Sequence, residues 1–250
     1  MYTNNLIHMV SLQRCGTHAI ANWILHQCAG ITTQQPLIEC YNDTHYFTCN
    51  GAAFCLFNNR FFHDDKLARN TPYGPIEYNL HTAIIIYEIA NINEFNTNFE
   101  DKDQIFGTIK KEKTIFVLRD VLNCFASWYQ KEGHIPKHIR KHWHTRALEW
   151  IGITQYVPHK IKINYNKWWD SQTNRRTIVD KLELDFTDIG IDHVPRFGDG
   201  SSFDGTTKDG QAQTMSLHTR YKQVGPRFWS FLTDPKFIEL SEAIFGVYHD

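Results

Sequence analysis

Apolar residues fall along this chain in two rhythms, short β-rich runs and longer stripes at helical spacing. Leu6 to Val10 is an apolar run of strand length, followed by a polar loop from Ser11 to Gly16. From Thr17 onward Ile20, Trp23, Ile24 and Cys28 recur every three or four positions, which predicts a helix with one buried stripe. Ala83 to Tyr87 and Thr114 to Leu118 are two further strand-like runs. Asp120 follows the last of these as a good helix N-cap, and Leu122, Phe125 and Tyr129 mark the inner face of the helix it would start. Lys160 to Tyr165 alternates, with Ile161 and Ile163 pointing one way, and leads into a helical stretch through about Leu184. The Gly-, Asp- and Ser-rich segment Gly190 to Gly210 predicts a long loop, and Pro235 to Phe245 a closing helix. Strands alternating with helices predict an α/β fold with a central parallel sheet flanked by helices on both faces.

No linker divides the pattern, and 250 residues with 42% hydrophobic content fit a single domain over 1–250. Cys40 to Asn79 mixes aromatics (Tyr46, Phe47, Phe54, Phe57, Phe61, Phe62) with Asn, Asp and His; it reads as an insertion lining an acceptor pocket or as a helical satellite core. The histidine-rich segment Lys137 to His144 reads as an irregular surface stretch. A net charge of −1 argues against a coat for nucleic acid, so an anionic ligand must be met by a local positive cluster. No run of about 18 apolar residues predicts a membrane span. Leu6 to Val10 is too short for a signal-peptide core and has no basic residue before it, so a cytoplasmic protein is expected, its six cysteines free thiols. None forms Cys-x-x-Cys, and no metal site is indicated.

Ser11-Leu12-Gln13-Arg14-Cys15-Gly16-Thr17 joins a predicted strand to a predicted helix. Such a loop aims successive N–H groups and a helix N-terminus at one point, which suits an anion such as phosphate. Gly16 permits close backbone approach, Arg14 adds a planar, permanently charged fork, and Thr17 can cap the helix or touch the ligand. The loop is not a Walker A sequence, because Gly16 occupies the place of that motif's Lys. A nucleoside triphosphate kinase is disfavoured accordingly. Further on, Arg119 ends a strand at its carboxyl edge, where open α/β sheets bind ligands. Ser127 lies seven positions after Asp120, nearly two helical turns, so Arg119 and Ser127 can converge on one anion.

These two motifs, in this order, resemble the sulfotransferases that use 3′-phosphoadenosine 5′-phosphosulfate (PAPS), proteins with a P-loop NTPase-like fold. The resemblance places Arg14, Cys15, Gly16, Thr17 and His18 on the loop for the 5′-phosphosulfate and Arg119 and Ser127 on the 3′-phosphate site. Ile163-Asn164-Tyr165-Asn166 is similar to the family's strand ending in Tyr-Glu. Gly200-Ser201-Ser202-Phe203 with Arg220-Tyr221-Lys222 is similar to the C-terminal cofactor loop of bacterial-type members, which puts Ser202, Phe203 and Arg220 on the donor. Cys15 stands where the family usually has Ser, and His18 where Thr or Ser is common.

Transfer of a sulfuryl group needs fixed positive charge around the moving group, here Arg14 with His18 in support, and a base for the acceptor hydroxyl. The family resemblance puts the base after the strand preceding the Arg-Asp strand, where Glu88 stands, or about 20 to 30 residues after the first loop, where Glu39 and Asp43 fall. His81 is a further candidate. The acceptor stays open among a carbohydrate, a lipid-linked sugar and a small phenol. Two other readings stay open as well: a P-loop-like nucleotide-binding protein without transfer activity, and a small-molecule kinase.

Overall fold

The computed structural model describes residues 2–27, 45–49, 52–57, 79–88, 91–95, 97, 108–194 and 200–247. Its elements run β1 (Tyr2–Val10), α1 (Thr17–His26), β2 (His45–Cys49), β3 (Ala52–Phe57), β4 (Asn79–Tyr87), β5 (Thr108–Leu118), α2 (Val121–Glu132), α3 (Lys137–Ile151), β6 (Lys160–Asn164), α4 (Tyr165–Asp170), α5 (Gln172–Leu182) and α6 (Lys236–Phe245). The six strands form one sheet in the order β2-β3-β4-β1-β5-β6. All neighbours pair in parallel except β2, which is antiparallel to β3 at the edge. This is the expected α/β architecture.

The strand order fixes where a ligand can enter. From β1 the chain passes through α1 to the β3 side of the sheet. From β5 it passes through α2 and α3 to β6 on the opposite side. The adjacent strands β1 and β5 therefore send their connections apart, which opens a crevice at their carboxyl ends.

Both sheet faces are covered. Ile7 and Met9 of β1, Ile84 and Ile86 of β4, Ile115 and Val117 of β5 and Ile163 of β6 alternate onto one face, where they meet Ile20, Trp23 and Ile24 of α1 and Trp168, Ile178 and Val179 of α4 and α5. The other layer packs α2, α3 and α6 together through Phe125, Trp143 and Phe237. Among the described residues no helix is long and apolar enough to cross a membrane.

Three elements differ from the sequence expectation. Lys137 to His144 is not irregular but the first half of α3, because Ile139, Trp143 and Ala147 recur at helical spacing and are buried. The predicted helix after β6 is two helices, broken at Ser171, whose hydroxyl caps α5 by accepting from the Asn174 N–H at 3.1 Å. Within Cys40 to Asn79, residues 45–49 and 52–57 are strands rather than part of a helical satellite core. They are separated in sequence by Asn50-Gly51, a pair strongly favoured between hairpin strands.

Glu149 ties the end of α3 to the start of β6. Its carboxylate accepts from the Thr154 hydroxyl at 2.6 Å, the Tyr156 and Val157 N–H groups at 3.0 and 3.1 Å, and the Lys160 ammonium. Burial raises the Glu149 pKa, but these donors outweigh it and hold the carboxyl below its ordinary value.

Candidate functional site

The loop after β1 turns sharply at two residues with left-handed backbone, Arg14 at φ 69° and Gly16 at φ 81°. Arg14 is strained there, since a Cβ disfavours this region. At Gly16 only glycine fits on two counts, the φ and the neighbour: a Cβ would lie 1.9 Å from Cε2 of Tyr165. The loop is pinned both from β4 and from within. Ser11 N–H donates to Tyr87 O at 3.2 Å, Cys15 N–H to Leu12 O at 3.1 Å, and the hydroxyls of Ser11 and Thr17 pair at 2.8 Å. The Thr17 side chain thus faces the loop interior, and α1 begins with no acidic side chain in its first turn to compete for the N–H groups exposed there.

Arg119 emerges from the carboxyl end of β5 into the same crevice. Its guanidinium carbon lies 4.9 Å over the Tyr165 ring, Nη2 donates to Leu217 O at 2.8 Å and Nη1 to Arg14 O at 3.5 Å. Asp120 caps α2 by accepting from the Asn123 N–H at 2.9 Å, as expected. Nearly two turns further, Ser127 is buried on the same helix.

The C-terminal segment closes over these two loops. Arg14 Nη1 donates to the Ser202 hydroxyl at 3.3 Å, and the Arg14 guanidinium lies 5.9 Å from the centre of the Trp128 ring, whose Nε1 donates to Gln13 O. Arg220 donates to the Ser201 hydroxyl at 2.8 Å and to Asp204 at 3.0 Å, and its guanidinium stands 5.1 Å over Phe203. Burial, and next the charge of Arg119, bring the Arg220 pKa down to about 10. Arg14, Arg119 and Arg220 thus crowd one buried volume. Along the segments that frame this volume, Arg14 Nε, Arg119 Nε, Asp120 Oδ2 and the Ser127 hydroxyl are buried with no hydrogen-bond partner among the described residues.

The structure therefore brings together Arg14, Cys15, Gly16, Thr17, Arg119, Ser202, Phe203 and Arg220, with His18 half-buried on the first turn of α1 and Ser127 buried on α2. Glu88 follows β4 at the same sheet edge, next to Tyr87, whose carbonyl holds Ser11. It is buried, and its charge acts on the buried guanidinium of Arg146. His81 lies near the amino end of β4, about 20 Å along the strand from Glu88, and so away from the ligand edge. Glu39 and Asp43 lie outside the described residues.

Sequence reasoning missed two members of the site. Tyr165 is its floor, packed on Gly16 and under Arg119; an aromatic at the carboxyl edge of β6 was the available signal. Arg146, on α3, donates from Nε to Ser11 O at 3.0 Å and from Nη1 to His142 O at 3.3 Å, and so holds the loop from behind. An arginine in the apolar stripe Ile139, Trp143, Ala147 was the mark of it.

No family model matches the chain, and no curated protein matches it. Among solved structures it is similar to the sulfotransferase domain from the olefin synthase of Synechococcus PCC 7002, at 14% identity and a TM-score of 0.53, over 100% of this chain and 97% of that one. At this identity the likeness carries the fold, a sulfotransferase-like α/β domain.

Proposed function

We propose that this chain is a sulfotransferase that takes PAPS as donor and a hydroxyl compound as acceptor. The observation that carries the reading is the set of unpartnered buried donors on the loop after β1 and on the β5–α2 segment: Arg14 Nε, Arg119 Nε and the Ser127 hydroxyl. A buried polar group without a partner costs about 1–3 kcal/mol, and a bound polyanion removes that cost. The donors come from two loops, as a ligand with two separate phosphate groups requires. The loop after β1 has Gly16 in the place of a Walker A Lys, so a bisphosphate nucleotide fits it better than a triphosphate.

When bound, PAPS supplies an activated sulfuryl group. Arg119 and Ser127 hold the 3′-phosphate. The loop N–H groups and the N-terminus of α1 orient the 5′ end. Arg14 stabilises the negative charge that grows on the departing phosphate as the acceptor oxygen bonds to sulfur. Arg14 gives no proton, because guanidinium stays protonated. Glu88 accepts the acceptor hydroxyl's proton. Ser202, Phe203 and Arg220 cover the nucleotide and keep water out.

A second reading, a nucleotide-binding protein without transfer, is favoured by one observation: Glu88 already neighbours the buried Arg146, as a structural carboxylate would. Incubation with radiolabelled PAPS and a panel of phenols and oligosaccharides separates the two. The transfer reading expects label on at least one acceptor, and a fall of about 100-fold or more in kcat for Glu88→Gln with bisphosphate affinity unchanged. Tight nucleotide binding with no labelled acceptor supports the second reading.

A further inference from the structure

Behind the anion loop two thiols face each other. Cys15 Sγ, between Arg14 and Gly16, lies 3.6 Å from Cys124 Sγ in the first turn of α2, and both side chains are fully buried. The two residues are 109 positions apart in sequence, so the contact joins two halves of the site. Neither sulfur is bonded to the other, and both are free thiols. Their surroundings differ in a way that suits exchange chemistry. Burial raises the Cys15 pKa, but the hydrogen bond from Cys124, the Arg119 N–H and the charges of Arg119 and Arg146 outweigh it and bring the thiol below its ordinary value. Burial, the hydrogen bond to Cys15 and its charge push Cys124 well up. Of the two, Cys15 is the more acidic thiol, which makes it the attacking sulfur.

We propose that Cys15 and Cys124 form a reversible disulfide that staples the loop after β1 to α2. The oxidant is a small hydroperoxide. The Cys15 thiolate attacks one peroxide oxygen, the O–O bond breaks, and the leaving oxygen takes a proton to become water, or an alcohol. The Cys124 sulfur then attacks the resulting sulfenic acid, the S–O bond breaks, and the departing hydroxide leaves as water with the Cys124 proton. Both sulfurs are oxidised, and the peroxide is reduced.

The consequence rests on the donor-binding reading above. An S–S bond of about 2.05 Å draws the sulfurs together by about 1.5 Å, whereas a preorganised site tolerates displacements of about 0.5 Å. The Gly16 N–H and the start of α1 move away from the anion, and nucleotide binding weakens. A bound nucleotide in turn holds the loop and slows the oxidation.

The test treats the full chain with hydrogen peroxide, blocks remaining thiols with iodoacetamide and digests with trypsin and chymotrypsin. Trp23 gives a cleavage point between Cys15 and Cys28, so the peptides report Cys15 by itself. The expected result is a linked Cys15–Cys124 peptide that dithiothreitol releases and that Cys124→Ser lacks. Oxidised protein should bind adenosine 3′,5′-bisphosphate (PAP) at least tenfold more weakly than reduced protein, with recovery on reduction. Absence of the linked peptide overturns the disulfide, and a linked peptide with unchanged PAP affinity overturns the switch. Reduced protein that fails to bind PAP overturns the donor reading instead, and the peptide map still decides the disulfide.

Discussion

Gly16 and Tyr165 show how single residues set the cradle. The ring sits where a Cβ on residue 16 would be, and the backbone there is left-handed. Gly16→Ala should lower stability by about 2 kcal/mol or more, through strained φ and the displaced ring together. Adding Tyr165→Ala should recover the steric part alone, which chemical denaturation of the two single variants and the double variant would measure as a coupling energy. Strictly additive losses would mean that the ring does not press on the loop. Arg119→Lys keeps the charge but loses the planar group over Tyr165 and the reach to Leu217 O. It should cost about tenfold in PAP affinity, since lysine cannot reproduce the fork. At this scale the sequence was informative: the meeting of Arg14, Gly16 and Arg119 was legible because each residue type is needed at one place in a strand–loop–helix pattern. Tyr165 was not, because its role depends on a glycine 149 positions earlier.

Among the elements, β6 and α3 carry the argument. β6 is short, and Glu149 fixes its entry while Asn164 caps α4 by accepting from the Lys167 N–H at 3.0 Å. Because the native Glu149 pKa lies below its ordinary value of 4.5, its stabilisation is complete above that pH and is lost as pH falls through the native value. Unfolding free energy should therefore drop faster between pH 5 and 3 in the wild type than in Glu149→Gln, with urea titrations at each pH as the measurement. Parallel slopes would contradict the assignment. α3 was hidden in sequence for an electrostatic reason. Its first half carries Lys137, His138, Arg140, Lys141 and His142, and its first turn has no acid, so it lacks the usual charge signature of a helix start. Packing of Ile139, Trp143 and Ala147 against the core decides instead.

For the whole molecule, the strand order does what no local motif could reveal. It sets β1 beside β5 with diverging connections, so the Arg14 loop and the Arg119 edge open on one crevice. The C-terminal segment then reaches across 188 positions for Ser202 to meet Arg14. Alternating strands and helices were readable from hydrophobic periodicity, whereas this long-range convergence was expected only from the family resemblance, because periodicity carries no information on which edges meet. A ligand held by all three segments should stabilise the entire domain. At a hundredfold excess over Kd, PAP should contribute about 2.7 kcal/mol and raise Tm by several degrees.

The central claim is a bisphosphate site at that crevice, and calorimetric titration with PAP tests it, with ADP and ATP as controls and Arg119→Ala in parallel. The account predicts micromolar PAP binding, much weaker ADP and ATP, and a loss of about 100-fold for Arg119→Ala, as expected when a charge-assisted contact is removed from a buried anion. Equal binding of ADP or ATP, with no effect of Arg119→Ala, would contradict it.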